Sequence, residues 1–362
     1  MDVRRAISTS VPDRALSAAF NQNRGCFSVG LETGVCNFNG GFGLVQMLGT
    51  SQYMALVGGG KSPKFAINKA IIWDQEKGKV VTEISALEAV RNVQLNRQKI
   101  VVVLQHSARV YAFSKKPNLL HAYETADNQG GLCCLTNDQL VIPGRTSGQV
   151  QIVELATGNV SIIPAHSSAL RALQVSPDGE LLATASETGT LIRIFSTANC
   201  AKLAELRRGV DPATIFSLDF SPSSTLLACT SDKSTLHVFD VPHPRKPNSY
   251  KSNQQREAEG KWGFIGKLPM MPRVFSDVYS FASTTFESGD ELVAGGIIPA
   301  TQGNHASSPR PAKGLIGWIE ENALIVVGTG YKCRWEKFMI GIGEDGKRTC
   351  YREGWKPYHG QS

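Results

Sequence analysis

The chain has 362 residues, 41% of them hydrophobic and only 19% charged. That charged share is below the usual ~25%, so the chain builds a core and is not disordered as a whole. Its formal charge of +7 and pI near 9.0 suit anionic partners, either nucleic acid or an acidic membrane face. No run approaches the ~18 apolar residues of a spanning helix, and residues 1–20 lack the apolar centre of a signal peptide. A transmembrane or secreted protein is therefore excluded as the first reading. The eight cysteines (Cys26, Cys36, Cys133, Cys134, Cys200, Cys229, Cys333 and Cys350) form no C-x-x-C pair. They read as reduced, mostly buried thiols of a cytosolic protein, with no zinc or redox motif.

Taken in chain order, the expected elements are short β-prone runs separated by turns, with no long helical period. Residues 53–58 pair with 70–73, 99–104 with 108–113, and 139–143 with 149–154. Runs at 170–175, 181–185 and 191–195 follow, with the hairpin signal Asp178-Gly179 between the first two. Two segments then repeat. Ser176-Pro177-Asp178-Gly179, Leu181-Leu182-Ala183, Ser186 and Thr190 recur as Ser221-Pro222-Ser223-Ser224, Leu226-Leu227-Ala228, Ser231 and Thr235, each 45 residues on. Ile72-Trp73-Asp74 and Val238-Phe239-Asp240 resemble the Trp-Asp ending of WD repeats. A period of ~40–45 residues is that of a four-stranded propeller blade. The fold class is all-β, a single seven-bladed WD-repeat-like β-propeller over residues 1–362, and ring closure removes its exposed edge strands.

Two insertions interrupt the pattern. Residues 242–275 open with His243-Pro244-Arg245-Lys246-Pro247, carry an excess of Lys and Arg, and then turn aromatic and aliphatic. Trp262, Phe264, Ile265, Leu268, Met270 and Met271 beside basic residues have the composition of an interfacial membrane segment. The alternative is that Trp262 and Phe264 pack back on the propeller. Residues 299–313 are rich in Gly, Pro and Ser and read as a flexible loop in the last blade.

Gly58-Gly59-Gly60-Lys61-Ser62 looks like the end of a P-loop, but the required upstream glycine is Ala55 and no helix follows, so it reads as a turn. A G-x-S-x-G elbow is absent, and no catalytic, metal or cofactor constellation stands out; the chain is not read as an enzyme.

The informative motif is Leu206-Arg207-Arg208-Gly209, between the two best repeats. Adjacent strand residues point to opposite faces, so the two arginines enter two pockets, both expected on the rim and not in the core. Ser186 and Thr190 flank one, Ser231 and Thr235 the other. Arg193 and His237 add a basic group to each, and His166 joins the first. Guanidinium forks and hydroxyls are the donors that phosphate oxygens require. The same spacing also fits a surface arginine pair with Ser/Thr turn caps.

These residues resemble the PROPPIN family, seven-bladed β-propellers that bind polyphosphoinositides and include the WIPI proteins. Leu206-Arg207-Arg208-Gly209 resembles its Phe/Leu-Arg-Arg-Gly signature. Ala165-His166, the stretch from Ala183-Thr184-Ala185-Ser186 to Ile192-Arg193-Ile194-Phe195, and Thr230-Ser231 to Leu236-His237-Val238-Phe239 are similar too. Ala55-Leu56-Val57-Gly58-Gly59-Gly60, with Asn68-Lys69 downstream, looks like the subgroup of the third and fourth human WIPI paralogues. The likeness runs from about residue 19 to 281 and fades beyond Phe286, so the last blade is placed by counting.

The resemblance implies binding of phosphatidylinositol 3-phosphate and 3,5-bisphosphate at two rim sites without a cofactor. The first would be His166, Ser186, Thr190, Arg193 and Arg207; the second Arg208, Ser231, Thr235 and His237. It further implies a monomeric, non-enzymatic scaffold of autophagy or endolysosomal trafficking. Such a scaffold would be cytoplasmic and peripheral on endosomal, vacuolar or pre-autophagosomal membranes. The family's rod-shaped lipid-transfer partner would meet the turn at Asn21 and Asn23, where Asn23 replaces an acid of the relatives that bind it. The alternative function is a soluble WD-repeat hub for acidic peptides. Nucleic acid is not expected, because no aromatic stripe lies on a basic face outside the insertion.

Overall fold

Runs rich in Val, Ile and Leu, bounded by Gly, Asn and Asp turns, form strands and nothing else in this computed structural model. It describes residues 14–34, 39–246, 278–287, 314–330 and 333–358, and among them there is no helix. Blade one is the hairpin β1 (Ala15–Phe20) and β2 (Phe27–Leu31). Blade two holds β3 (Phe42–Met47), β4 (Tyr53–Gly58), β5 (Lys69–Asp74) and β6 (Lys79–Ser85). Blade three holds β7 (Asn92–Leu95), β8 (Lys99–Val103), β9 (Ser107–Ala112) and β10 (Leu119–Glu124). Blade four follows with β11 (Cys134–Leu135), β12 (Gln139–Pro143), β13 (Gln149–Glu154) and β14 (Val160–Pro164). Blade five has β15 (Leu170–Val175), β16 (Leu181–Ser186), β17 (Leu191–Ser196) and β18 (Lys202–Arg207).

Blade six begins with β19 (Ile215–Phe220), β20 (Leu226–Ser231) and β21 (Thr235–Asp240). Its fourth strand, β23 (Ala282–Thr285), arrives only after the first insertion. The two-residue β22 (Val278–Tyr279) ends that insertion and pairs in parallel with β18, as a fifth strand on blade five. Blade seven is β24 (Leu315–Glu320), β25 (Ala323–Val327), β26 (Arg334–Ile342) and β27 (Arg348–Pro357). The second insertion falls between β23 and β24, the last strand of one blade and the first of the next. Residues 299–313 themselves lie outside the described residues.

The first strands of the blades touch in a closed circuit, β1 to β3, β7, β11, β15, β19, β24 and back to β1. That circuit is the seven-bladed ring. Its seam is hydrogen-bonded: Ala15 and Gly330 exchange both backbone bonds, at 2.9 and 3.2 Å. Across the central channel, Arg24 from the β1–β2 turn reaches Asp219 of blade six at 2.6 Å.

The core lies between blades. β16 and β20 are buried along their whole length because a neighbouring blade covers each face. Leu173, Leu182 and Phe195 pack towards Val141, Val150 and Ile152 of blade four. Ala183, Ile192 and Leu206 pack towards Leu218, Leu227 and Phe239 of blade six. Each such fully buried Leu, Ile or Phe contributes ~1.5–3 kcal/mol.

The Gly58–Gly60 turn has a steric reason. A Cβ at Gly58 would meet the Phe65 carbonyl at 1.7 Å, and one at Gly59 would meet Gly43 Cα at 2.3 Å. The glycines let two chain segments pack backbone to backbone, with no helix to hold a phosphate.

Candidate anion-binding site

The pleat of blade five sorts the signature residues. Thr184 stands opposite Arg193, and Arg193 opposite Glu205, on the face that packs towards blade four. Leu206, fully buried, points the other way into the cluster shared with blade six. Arg207 thus follows the blade-four face and Arg208 the blade-six face.

At the first cleft, His166 Nε2 lies 3.0 Å from Thr184 Oγ1. Arg193 donates through NH1 to the Ala165 carbonyl at 2.6 Å and through Nε to Glu205 Oε2 at 2.8 Å. Ser186, on the same strand face as Thr184, is buried with its hydroxyl 2.9 Å from Thr188 Oγ1. Thr190 sits in the following turn, where its carbonyl accepts the Arg208 N–H at 2.9 Å. Burial, aided by Arg193, pushes His166 down to about 4, so its ring is neutral at pH 7.

At the second cleft the polar groups form a chain. Ser231 Oγ is 3.1 Å from Thr235 Oγ1, which is 3.2 Å from His237 Nε2. His237 Nδ1 lies 3.1 Å from the hydroxyl of Ser280. Burial and then Arg208 push His237 down to about 4. Burial also pushes the neighbouring Cys229 thiol up to about 12, against the pull of Arg208. Arg208, Ser231, Thr235 and His237 therefore share one cleft.

Arg208 departs from the sequence expectation. Only 8% exposed, it donates from Nε to the Gly189 carbonyl at 2.8 Å and from NH2 to the Asp211 carbonyl. It braces the turn after β16 as well as facing the cleft. Gly189 is fixed there by its φ of +60° and by the Ala213 carbonyl, which a Cβ would meet at 1.7 Å.

The ladder also corrects the repeat. Thr184 pairs with Arg193 and Cys229 with His237, so Arg193 and His237 occupy the same rung of successive blades. One extra turn residue in blade five explains why they stand three and two residues after their threonines.

The β1–β2 turn lies at the channel, not on an outer edge. Asn21 is fully buried and bonded to Cys26 and the Gly49 carbonyl, which holds the turn in shape; Asn23 is exposed. Trp262, Phe264, Ile265 and Leu268 lie outside the described residues. The roots of their insertion are described. His243 and Lys246 reach Asp178 at 3.0 and 2.6 Å, and Arg245 reaches Glu180 at 2.5 Å. The returning leg, β22, runs beside Leu206 and Arg207 and delivers Ser280 to His237. Sequence reasoning missed Ser280 and Glu205.

Seven blades closed on a channel, with polar groups gathered on both faces of blade five, define a seven-bladed β-propeller. The PROPPIN family profile matches residues 44–279. The chain is similar to SVP1-like protein 2 of Emericella nidulans, 56% identical over 87% of this chain and 99% of the relative. To the protein of that name in Neurospora crassa it is 44% identical over the whole of both chains. Among solved structures, Kluyveromyces lactis Hsv2 superposes with a TM-score of 0.71 at 22% identity, covering 95% of this chain and 99% of the other. The chain belongs to the PROPPIN family, the phosphoinositide-binding β-propellers of autophagy.

Proposed function

We propose that this propeller is a membrane-recruited scaffold whose two clefts take the headgroups of phosphatidylinositol 3-phosphate and 3,5-bisphosphate. The observation that carries this reading is the splitting of Arg207 and Arg208 to opposite faces of blade five. Each face carries its own hydroxyls and imidazole. The first site is His166, Ser186, Thr190, Arg193 and Arg207; the second is Arg208, Ser231, Thr235 and His237. Phosphate oxygens accept from guanidinium and hydroxyl donors, and an arriving anion favours the charged form of each imidazole that burial holds neutral. The insertion supplies the lipid contact: Trp262, Phe264, Ile265 and Leu268 enter the interface, while neighbouring Lys and Arg add up to ~1 kcal/mol each near an anionic surface. The membranes served are endosomal, vacuolar or pre-autophagosomal.

Liposome flotation against a panel of phosphoinositides tests this reading. Recovery with vesicles containing either 3-phosphorylated lipid, and not with phosphatidylinositol alone, is expected. Equal recovery on any acidic vesicle would reject headgroup recognition.

A further inference from the structure

We propose that Glu205 sets the strength of the first cleft by partly neutralising Arg193, so that the two clefts hold phosphate groups with unequal affinity. This rests on the reading of both clefts as headgroup sites. Glu205 and Arg193 face each other across the β17–β18 ladder, so backbone register, not the chance meeting of two long side chains, holds them together. Glu205 Oε2 accepts from Arg193 Nε at 2.8 Å, and Lys202 Nζ lies 3.5 Å from the same oxygen. Both members of the Arg193–Glu205 pair are only 26% exposed, so solvent screens them poorly.

Arg193 also gives NH1 to the Ala165 carbonyl. Two of its three nitrogens are thus engaged before any ligand arrives, one by a full negative charge. A phosphate entering beside Arg193 meets a cation already half satisfied and a carboxylate of its own sign. Burial opposes ionisation of Glu205, but the bonds from Arg193 and Lys202 outweigh it and lower its pKa, which keeps it charged at neutral pH.

Among the described residues, no carboxylate is bonded to the arginine of the second cleft. Arg208 donates to two neutral carbonyls, and Ser231, Thr235, His237 and Ser280 are uncharged at pH 7. Asp211 and Asp232, the acids of the flanking turns, are exposed to water. The charge of Arg208 is left for a ligand. One repeat unit has therefore produced a restrained cleft and an unrestrained one.

The test titrates soluble inositol 1,3-bisphosphate by calorimetry into wild type, Glu205→Gln and Glu205→Ala. Each is also made on a Thr235→Ala/His237→Ala background, which removes the second cleft. Gln keeps an acceptor for Arg193 Nε and removes only the charge, and melting curves report whether each variant folds. First-cleft affinity should rise about tenfold at low salt, equivalent to ~1.4 kcal/mol, with the second cleft unchanged. Unchanged affinity in both variants, or a weaker first cleft in both, would overturn the proposal while leaving the headgroup reading standing. No binding in wild type or any variant would remove the headgroup reading and this inference together.

Discussion

Replacing Arg207 and Arg208 one at a time separates recognition from bracing. Arg208→Ala leaves the buried carbonyl of Gly189 without its donor and removes the bond to the carbonyl of the exposed Asp211. An unsatisfied buried group costs ~1–3 kcal/mol, so this variant should melt a few degrees below wild type. Arg207→Ala, on a half-buried residue, should melt closer to it; equal melting of both variants would contradict the brace. The two histidines make a second prediction at this scale. His166 and His237 fall from the ordinary 6.5 to about 4 in the fold, so between those values the unfolded chain binds more protons. Their stabilisation is complete above pH 6.5 and is lost as pH falls towards 4. The urea midpoint should drop over that window, and a His166→Gln/His237→Gln variant should show a shallower drop. The hydroxyls and basic groups proposed for the two clefts could be picked out because a repeat displays its chemistry twice. Ser280 was not, since 43 residues and an insertion separate it from His237. Glu205 immediately precedes the signature, but its pairing depends on the residue across the ladder, which sequence does not print.

At the scale of elements, the insertion is pinned at both roots. Its outgoing leg is held by Asp178 and Glu180 at the β15–β16 turn, and its returning leg by the edge of β18. The hydrogen bonds to Asp178 outweigh burial and hold its carboxyl well below the usual range. The residues between these roots can therefore be removed without moving the clefts. Deleting residues 248–271 should leave soluble-headgroup affinity intact and sharply reduce flotation; unchanged flotation would make the insertion a spacer. The strands were read almost to the residue where alternation and turn signals agree, as at Gln139–Pro143, Gln149–Glu154 and Leu170–Val175. The last blade was reached by counting alone. Its last two strands, of nine and ten residues, are longer than the six-residue strands of blades five and six, and the blade lacks the Ser-Pro turn that marks those two.

At the scale of the whole molecule, the ring depends on contacts between residues distant in sequence, and these were illegible. Arg24 and Asp219 are 195 residues apart, and the Asp219 carboxylate is buried to 4% exposure. Burial pushes the Asp219 carboxyl up, and Arg24 opposes that shift. Removing one partner of such a buried pair costs ~3–5 kcal/mol. Arg24→Ala should lower the unfolding free energy by that order in urea, whereas a loss below ~1 kcal/mol, typical of a surface pair, would show that the cross-channel bond is not a tie of the ring.

If blade five carries one anion cleft on each face, calorimetry with soluble inositol 1,3-bisphosphate must count two headgroups per wild-type chain. Arg207→Ala should retain only the cleft of Ser231, Thr235 and His237. Thr235→Ala/His237→Ala, which spares the bracing arginine, should retain only the other. A single headgroup per wild-type chain, bound equally well by both variants, would contradict the account.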